Sequence, residues 1–410
     1  MKNIILNEKY NSTKVFFEKA KGDRIFYKNK SFIDLSFCSG AIFLGHNHSL
    51  FKKSASEYLK NNFSIFSNPN TQAVKLSKNI KFFFPNFHKI VFCNTGSESV
   101  IKALRISRAI SKKKKVVLVT GSWHGSTDNT LFYPRKNFVP ESLSAGIKES
   151  DKKNTIFIPY NEIQISKKIL DKKKNNINCV IIEPIMGCLP NNYSKPYLKF
   201  LEQYCKKNKI TLIFDEIITG FRSEKGSVQK KYNIKPDITL IGKILGGGLP
   251  IGAIGINKDI YSKIQKNKKK IFFGGTFSGN TFSTYMGNKV LSYIKKNKIL
   301  VKKIIKNSEY FQNKINYYIS KENLNAHVYR FDSILRIVFS KGKINNRIQR
   351  DFLEKKQIMS KIKFENYLFK RNIYFPPNGI ILFSSMTNKK SIDYMINIIN
   401  SGLKKYFKLK

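Results

Sequence analysis

Apolar residues in the middle of the chain fall in short unbroken runs, not in strict alternation with polar ones. Lys89 to Phe92, Val116 to Val119, Thr155 to Ile158, Cys179 to Ile182, Leu212 to Phe214 and Ile238 to Ile241 are such runs. Each stops at a turn-forming or polar residue: Asn94-Thr95-Gly96-Ser97, Gly121, Pro159, Glu183-Pro184, Asp215 and Gly242-Lys243 in turn. Helical patterns separate them, including Val100, Ala103, Leu104 and Ser107 on one face and the more polar stretch Lys195 to Lys206. A strand without polar alternation is buried on both faces. Such strands alternating with helices predict an α/β fold, with a mostly parallel central sheet covered by helices. Ile251 to Ile256, after Gly246-Gly247-Gly248, predicts a further strand.

The last third reads differently. A helix-rich stretch from Thr281 to Ile319 leads to strand candidates at Leu335 to Phe339 and Ile380 to Phe383, then to a final helix from about Lys390. This pattern predicts a smaller α+β domain, joined by N-terminal elements around Val15 to Leu35. The expected division is a large domain over 46–299 and a small one built from 1–45 and 300–410.

In parallel sheets ligands bind beyond the carboxyl ends of the strands. Gly96, Trp123, Asp215 and Lys243 all lie just past such an end. Gly96 permits a tight turn and Ser97 can cap a helix whose free N–H groups suit a phosphate, although helix capping alone would produce the same pattern. A lysine ending a buried strand is unusual; desolvation would lower its pKa and make it a Schiff-base nucleophile. Gly242-Lys243 matches neither a phosphate-loop nor a dinucleotide fingerprint. Asp215 needs a cationic or hydrogen-bonded partner, and a protonated pyridine nitrogen would be one. Trp123 could stack on a flat ring or fill the core. His46-Asn47-His48 is spaced like part of a metal site but has no third ligand nearby, and reads as a structural loop.

Composition changes the picture little. Lys and Arg number 76 against 26 acids, a net charge of +50. That excess raises nucleic-acid binding as a rival function, with strongly salt-dependent association as its signature. The lysines are spread over the whole chain among Asn, Ile and Phe, however, which reads as a background bias and not as a footprint; no nucleic-acid partner is expected. The cysteines Cys38, Cys93, Cys179, Cys188 and Cys205 lack paired spacing, and no segment looks like a signal or a membrane span. A cytoplasmic protein without a membrane partner or metal is expected.

Several stretches together resemble the pyridoxal-phosphate-dependent class III aminotransferases of fold type I, most nearly the glutamate-1-semialdehyde aminomutase branch. They are FEKAKG (Phe17 to Gly22), LGHNH (Leu44 to His48), NTGSES (Asn94 to Ser99), GSWHG (Gly121 to Gly125), IIEPIMG (Ile181 to Gly187), LIFDEIITGFR (Leu212 to Arg222), PDITLIGKILGGGLPIGA (Pro236 to Ala253) and GGTFSGN (Gly274 to Asn280). They occur in the family's order. The resemblance implies pyridoxal 5′-phosphate as cofactor, joined as a Schiff base to Lys243, with Asp215 at the pyridine nitrogen and Gly96 and Ser97 at the phosphate. It further implies Trp123 stacking on the ring beside His124, Ile217 on the other ring face, and Asn161 near the ring hydroxyl. Thr276 would reach the cofactor of a neighbouring subunit, so a homodimer with shared active sites is expected.

Three departures from the aminomutase pattern bear on the substrate. No arginine stands in Asn11-Ser12-Thr13-Lys14, Ser39-Gly40 occupies the place of a tryptophan–glycine pair, and no acid precedes Phe383 in Pro377-Asn378-Gly379-Ile380-Ile381-Leu382. A missing arginine removes a bidentate carboxylate clamp, and a small residue for tryptophan enlarges a pocket. These changes predict a transaminase that moves an amino group from an amino donor to a carbonyl metabolite such as a keto-sugar or an aldehyde. The aminomutase reaction yielding 5-aminolevulinate is the alternative.

Overall fold

The computed structural model describes Asn7, residues 15–342 and residues 344–409. The segment 11–14 with its missing arginine lies outside them. In chain order the strands are β1 (Lys19–Lys21), β2 (Arg24–Tyr27), β3 (Lys30–Asp34), β4 (Lys89–Cys93), β5 (Lys115–Val119), β6 (Phe132–Pro134), β7 (Pro140–Ser142), β8 (Thr155–Ile158), β9 (Ile177–Ile182), β10 (Thr211–Asp215), β11 (Ile238–Gly242), β12 (Gly252–Ile256), β13 (His327–Phe331), β14 (Ile334–Val338), β15 (Ile373–Tyr374) and β16 (Ile380–Leu382).

Seven of them form the central sheet, in the order β4-β12-β11-β10-β9-β5-β8. The pairs β11–β10, β10–β9, β9–β5 and β5–β8 are parallel. β12 alone runs antiparallel to its neighbours β11 and β4. Its reversal has a local cause: a parallel crossover needs a dozen or more residues, and the short glycine-rich turn after Gly242 brings the chain straight back.

Successive residues of these strands point to opposite faces. Val117, Val119, Ile156, Ile158, Val180, Ile182, Leu212 and Phe214 enter one core cluster, while Val116, Leu118, Phe157, Ile181, Ile213 and Leu240 enter the other. Each such side chain contributes roughly 1.5–3 kcal/mol on burial, which is why apolar runs without alternation suit this sheet. The helix Gly96–Ser111 buries Val100, Ala103, Leu104 and Ile106 against the second cluster.

The helix-rich stretch after Thr281 is two helices, Thr281–Lys296 and Lys298–Lys321, broken at Asn297. β13, β14 and β16 form an antiparallel sheet, and the last helix covers Lys389–Phe407. The chain's two ends share a sheet: β3 pairs in parallel with β15 through Ile33 and Ile373. No helix among the described residues is long and apolar enough to cross a membrane.

Candidate active site

Lys243 is the first residue after β11 and opens a single tight turn, Lys243–Gly246. Its φ of +49° is left-handed, a conformation that costs an L-residue about 1–2 kcal/mol. The turn is held from below by the helix Thr281–Lys296. A Cβ added to Gly287 of that helix would fall 2.0 Å from the Leu245 carbonyl oxygen, so only glycine allows this approach. Loss of hydration pushes the Lys243 amine down to about 8, against the opposing pull of Asp215 and Glu183, while the Arg222 guanidinium lowers it further.

Asp215 ends β10, next to β11, and is 3% exposed. Its Oδ1 accepts from the Ile217 amide at 3.1 Å, and its Oδ2 lies 2.8 Å from His124 Nδ1. His124 Nε2 is buried without a hydrogen-bond partner among the described residues. Glu183, at the end of β9, accepts from the Trp123 amide at 2.6 Å and from the Gly187 amide at 3.1 Å. Desolvation, then the Asp215 charge, raises its pKa.

The helix Gly96–Ser111 opens toward the same place. Thr95, not Ser97, caps it: Thr95 Oγ1 accepts from Glu98 N at 3.1 Å, whereas Ser97 lies inside the first turn and its Oγ accepts from Ser126 N at 3.0 Å. Two glycines keep this end open. A Cβ on Gly96 would lie 2.6 Å from Ile217 Cδ1, and one on Gly125, whose φ is +76°, would lie 2.2 Å from Ser97 Oγ. Helix N-termini with free N–H groups bind phosphates.

One cleft of about 400 Å³ joins these parts, lined by Lys243, Asp215, Gly96, Ser97, Trp123 and Ile217, with Glu183 and Cys38 beside them. An amine, a buried carboxylate and a helix N-terminus at one cleft match the aldehyde, the pyridine nitrogen and the phosphate of pyridoxal 5′-phosphate. The residues present therefore fit that cofactor.

A family model described as "Aminotransferase class-III" matches residues 5–356. The chain belongs to the class III aminotransferases. This aminotransferase is 31% identical to the glutamate-1-semialdehyde 2,1-aminomutase of Methanosphaera stadtmanae, over 96% of this chain and 92% of that protein. It is 34% identical to the protein of the same name from Wigglesworthia glossinidia brevipalpis, over 95% and 90%. Its fold matches an omega-transaminase from Sphaerobacter thermophilus with a TM-score of 0.87 at 18% identity, covering 95% of this chain and 90% of that one. A glutamate-1-semialdehyde aminomutase from Pseudomonas aeruginosa PAO1, in complex with PMP, matches at 0.86 and 15% identity, covering 96% and 88%.

The structure of this aminotransferase does not bring every expected residue to the cleft. His124 reaches it only through Asp215. Asn161, with a φ of +62° and a buried Oδ1 that has no partner among the described residues, follows β8 and does not line it. Thr276 sits in an exposed turn on the chain's own surface, where its carbonyl accepts from Ser67 Oγ at 3.1 Å. Trp123 is 57% exposed, so it is no core residue. His46 Nε2 lies 2.8 Å from Asp34 Oδ2, and His48 Nδ1 caps the helix Ser49–Lys60. Both histidines thus serve the loop.

Three side chains went unassigned from sequence. Glu183 could have been found by the signal that singled out Asp215, a carboxylate at a strand end. Cys38 lies in a left-handed turn, with φ of +44° at Phe37, +55° at Cys38 and +52° at Ser39. Arg222 is fully buried, donates to the Gly40 carbonyl, and has no partner for Nε or Nη1 among the described residues. Burial pushes its pKa down to about 9. No local pattern announces either.

Proposed function

We propose that this aminotransferase moves an amino group with pyridoxal 5′-phosphate held at Lys243, and that its reaction is the isomerisation of glutamate-1-semialdehyde to 5-aminolevulinate. The observation that carries the first part is the meeting of Lys243 and Asp215 in one cleft with an open helix N-terminus. The second part is supported by relatives named for that reaction along nearly the whole chain.

When bound, the cofactor supplies an aldehyde carbon that carries nitrogen and a ring that draws off electrons. The chain does the rest. Lys243 Nζ would move the proton between the substrate carbon and the cofactor's aldehyde carbon, across the nitrogen they share. Asp215 holds a proton at the ring nitrogen, and His124 Nδ1 fixes the carboxylate's orientation. The N–H groups of Gly96 and Ser97 would hold the phosphate, and Trp123 and Ile217, both on the cleft wall, would contact the ring. Thr276 completes the cofactor site of a second copy, making a homodimer. Exposed apolar side chains around it support that role: Phe277 is 58% and Phe66 45% exposed, and their rings meet edge to face at 6.1 Å.

A second reading is transfer to a separate carbonyl acceptor. The small residues Cys38 and Ala41 at the cleft wall favour it, as does the apolar run Ile380-Ile381-Leu382 where the aminomutase pattern has an acid. Incubation with glutamate-1-semialdehyde alone separates the two. Isomerisation exchanges the amino and carbonyl positions with no net change in composition and consumes no acceptor, so 5-aminolevulinate should accumulate. Turnover only after a keto compound is added would favour the second reading.

A further inference from the structure

Arg222 is 2% exposed, and no acid pairs with it among the described residues. Of its side-chain nitrogens only Nη2 has a partner there, and a neutral one, the Gly40 carbonyl. Its guanidinium carbon lies 5.5 Å from the centre of the Phe43 ring. A buried cation with so little compensation costs stability, and an apolar residue of similar volume often replaces such a group without loss. Its place is explained instead by what it touches.

Gly40 closes a turn in which four successive residues have left-handed φ: +44° at Phe37, +55° at Cys38, +52° at Ser39 and +91° at Gly40. Such angles are unfavourable for the three that carry a Cβ, so the surroundings must hold them. Asp34 holds the start of the turn. Its Oδ1 accepts from the Ser36 amide at 2.7 Å and its Oδ2 from the Phe37 amide at 3.0 Å, while His46 Nε2 lies 2.8 Å from Oδ2. Arg222 holds the end. The fit there is close: a Cβ on Gly40 would fall 2.5 Å from Arg222 Nη2 and 2.8 Å from Leu382 Cδ1. Between these two anchors the turn reaches the cleft. Cys38 is exposed and lines it together with Lys243, as does Ala41 just past the turn. Arg222 itself does not line the cleft. It stands behind this wall, on the segment that follows Asp215, so one guanidinium ties the wall to the strand end bearing the buried carboxylate.

We propose that Arg222 is a positioning residue for substrate binding: its hydrogen bond to the Gly40 carbonyl fixes the turn Phe37–Gly40, so that Cys38 and Ala41 form the wall the substrate meets beside Lys243. The proposal rests on the reading that the substrate enters this cleft. Arg222 takes no part in the bond changes. Freeing the turn leaves Lys243 and Asp215 in place and alters the space next to them, so binding suffers before turnover does.

Alkylation of the cofactor-loaded full chain with iodoacetamide, followed by peptide mapping, tests this. Cys93, Cys179 and Cys205 are buried, so labelling at Cys38 reports the wall. Arg222→Met removes the donor and the buried charge together. It should raise the Cys38 labelling rate about fivefold or more, with the midpoint of urea unfolding no lower than the parent's. The KM for glutamate-1-semialdehyde should rise by about as much, and kcat should change less. Arg222→Lys keeps a donor for Gly40 and should hold the labelling rate within about twofold of the parent. Gly40→Ala disturbs the same contact from the other side and should speed labelling as Arg222→Met does; it decides the matter if Arg222→Met does not fold. Unchanged labelling in both variants, or equal acceleration in Arg222→Lys and Arg222→Met, would overturn the proposal. An equal rise at the buried cysteines, the mark of general loosening, would overturn it too. Labelling needs no turnover, so inactivity toward glutamate-1-semialdehyde would remove the isomerisation reading and leave the role of Arg222 standing.

Discussion

Lys243 carries two penalties at once, a left-handed backbone and an amine drawn out of water. Surrounding structure must over-determine such a residue, and sites of this kind cluster where chemistry occurs. Replacing it with alanine should abolish turnover, and borohydride reduction with peptide mapping, which should tag Lys243 in the parent protein, should tag nothing. Labelling of a different lysine would end the proposal. With the amine near 8, the neutral fraction rises about fivefold from pH 7 to pH 8. The rate at which cofactor-free protein takes up the aldehyde should climb over that interval and level off above it. The folded value lies below that of an unfolded lysine. The cofactor-free fold therefore bears the full penalty below pH 8 and is relieved of it as pH rises from there toward 10.5. Asp215→Asn removes the negative charge facing the ring nitrogen, and kcat should fall by about a hundredfold or more while the fold persists. Lys243 and Asp215 were legible because each interrupts an apolar run with a charge. Glu183 interrupts one too, but only the pairing of β9 beside β10, Ile182 opposite Phe214, puts its carboxylate next to Asp215. Cys38 and Arg222 reach the site region by long-range packing alone.

The phosphate end of the cleft is one helix terminus, and its capping can be tested as such. Thr95→Ala should lower stability to urea by about 1 kcal/mol and weaken cofactor retention on dilution. The turn bearing Lys243 depends on the closeness of the helix Thr281–Lys296. Gly287→Ala should force that helix off the Leu245 carbonyl, destabilise the fold by about 1–3 kcal/mol, and slow cofactor attachment more than Thr95→Ala does. Equal behaviour of the two variants would show that the helix approach does not position Lys243. The doubly buried strands could be read in advance, because burial on both faces demands unbroken apolar runs. The direction of β12 could not. An apolar run is the same read either way, and the length of the preceding turn sets the direction. β13 escaped notice because the polar His327 and Arg330 interrupt its pattern, and only pairing with β14 stabilises it.

At the scale of the whole molecule, the exposed Phe66–Phe277 pair beside Thr276 argues for association with a second copy. Light scattering at micromolar concentration should give about twice 47.5 kDa, and Phe277→Asp should shift it toward the monomer with weakened cofactor retention. A monomeric parent protein would remove the role proposed for Thr276. The sequence by itself determined the α/β class, the strand ends that hold the lysine and the aspartate, and the helix start at Gly96. Those are local matters: apolar runs, chain-reversing glycines and capping residues act within a few positions of one another. The tertiary structure alone decided that Lys243, Asp215, Trp123 and Gly96 share one cleft, that Glu183 and Arg222 bear on its charge, and that Thr276 faces outward. Those outcomes depend on which strands lie side by side and which helices pack across them. That choice is made by burial summed over the whole chain and is written in no single segment.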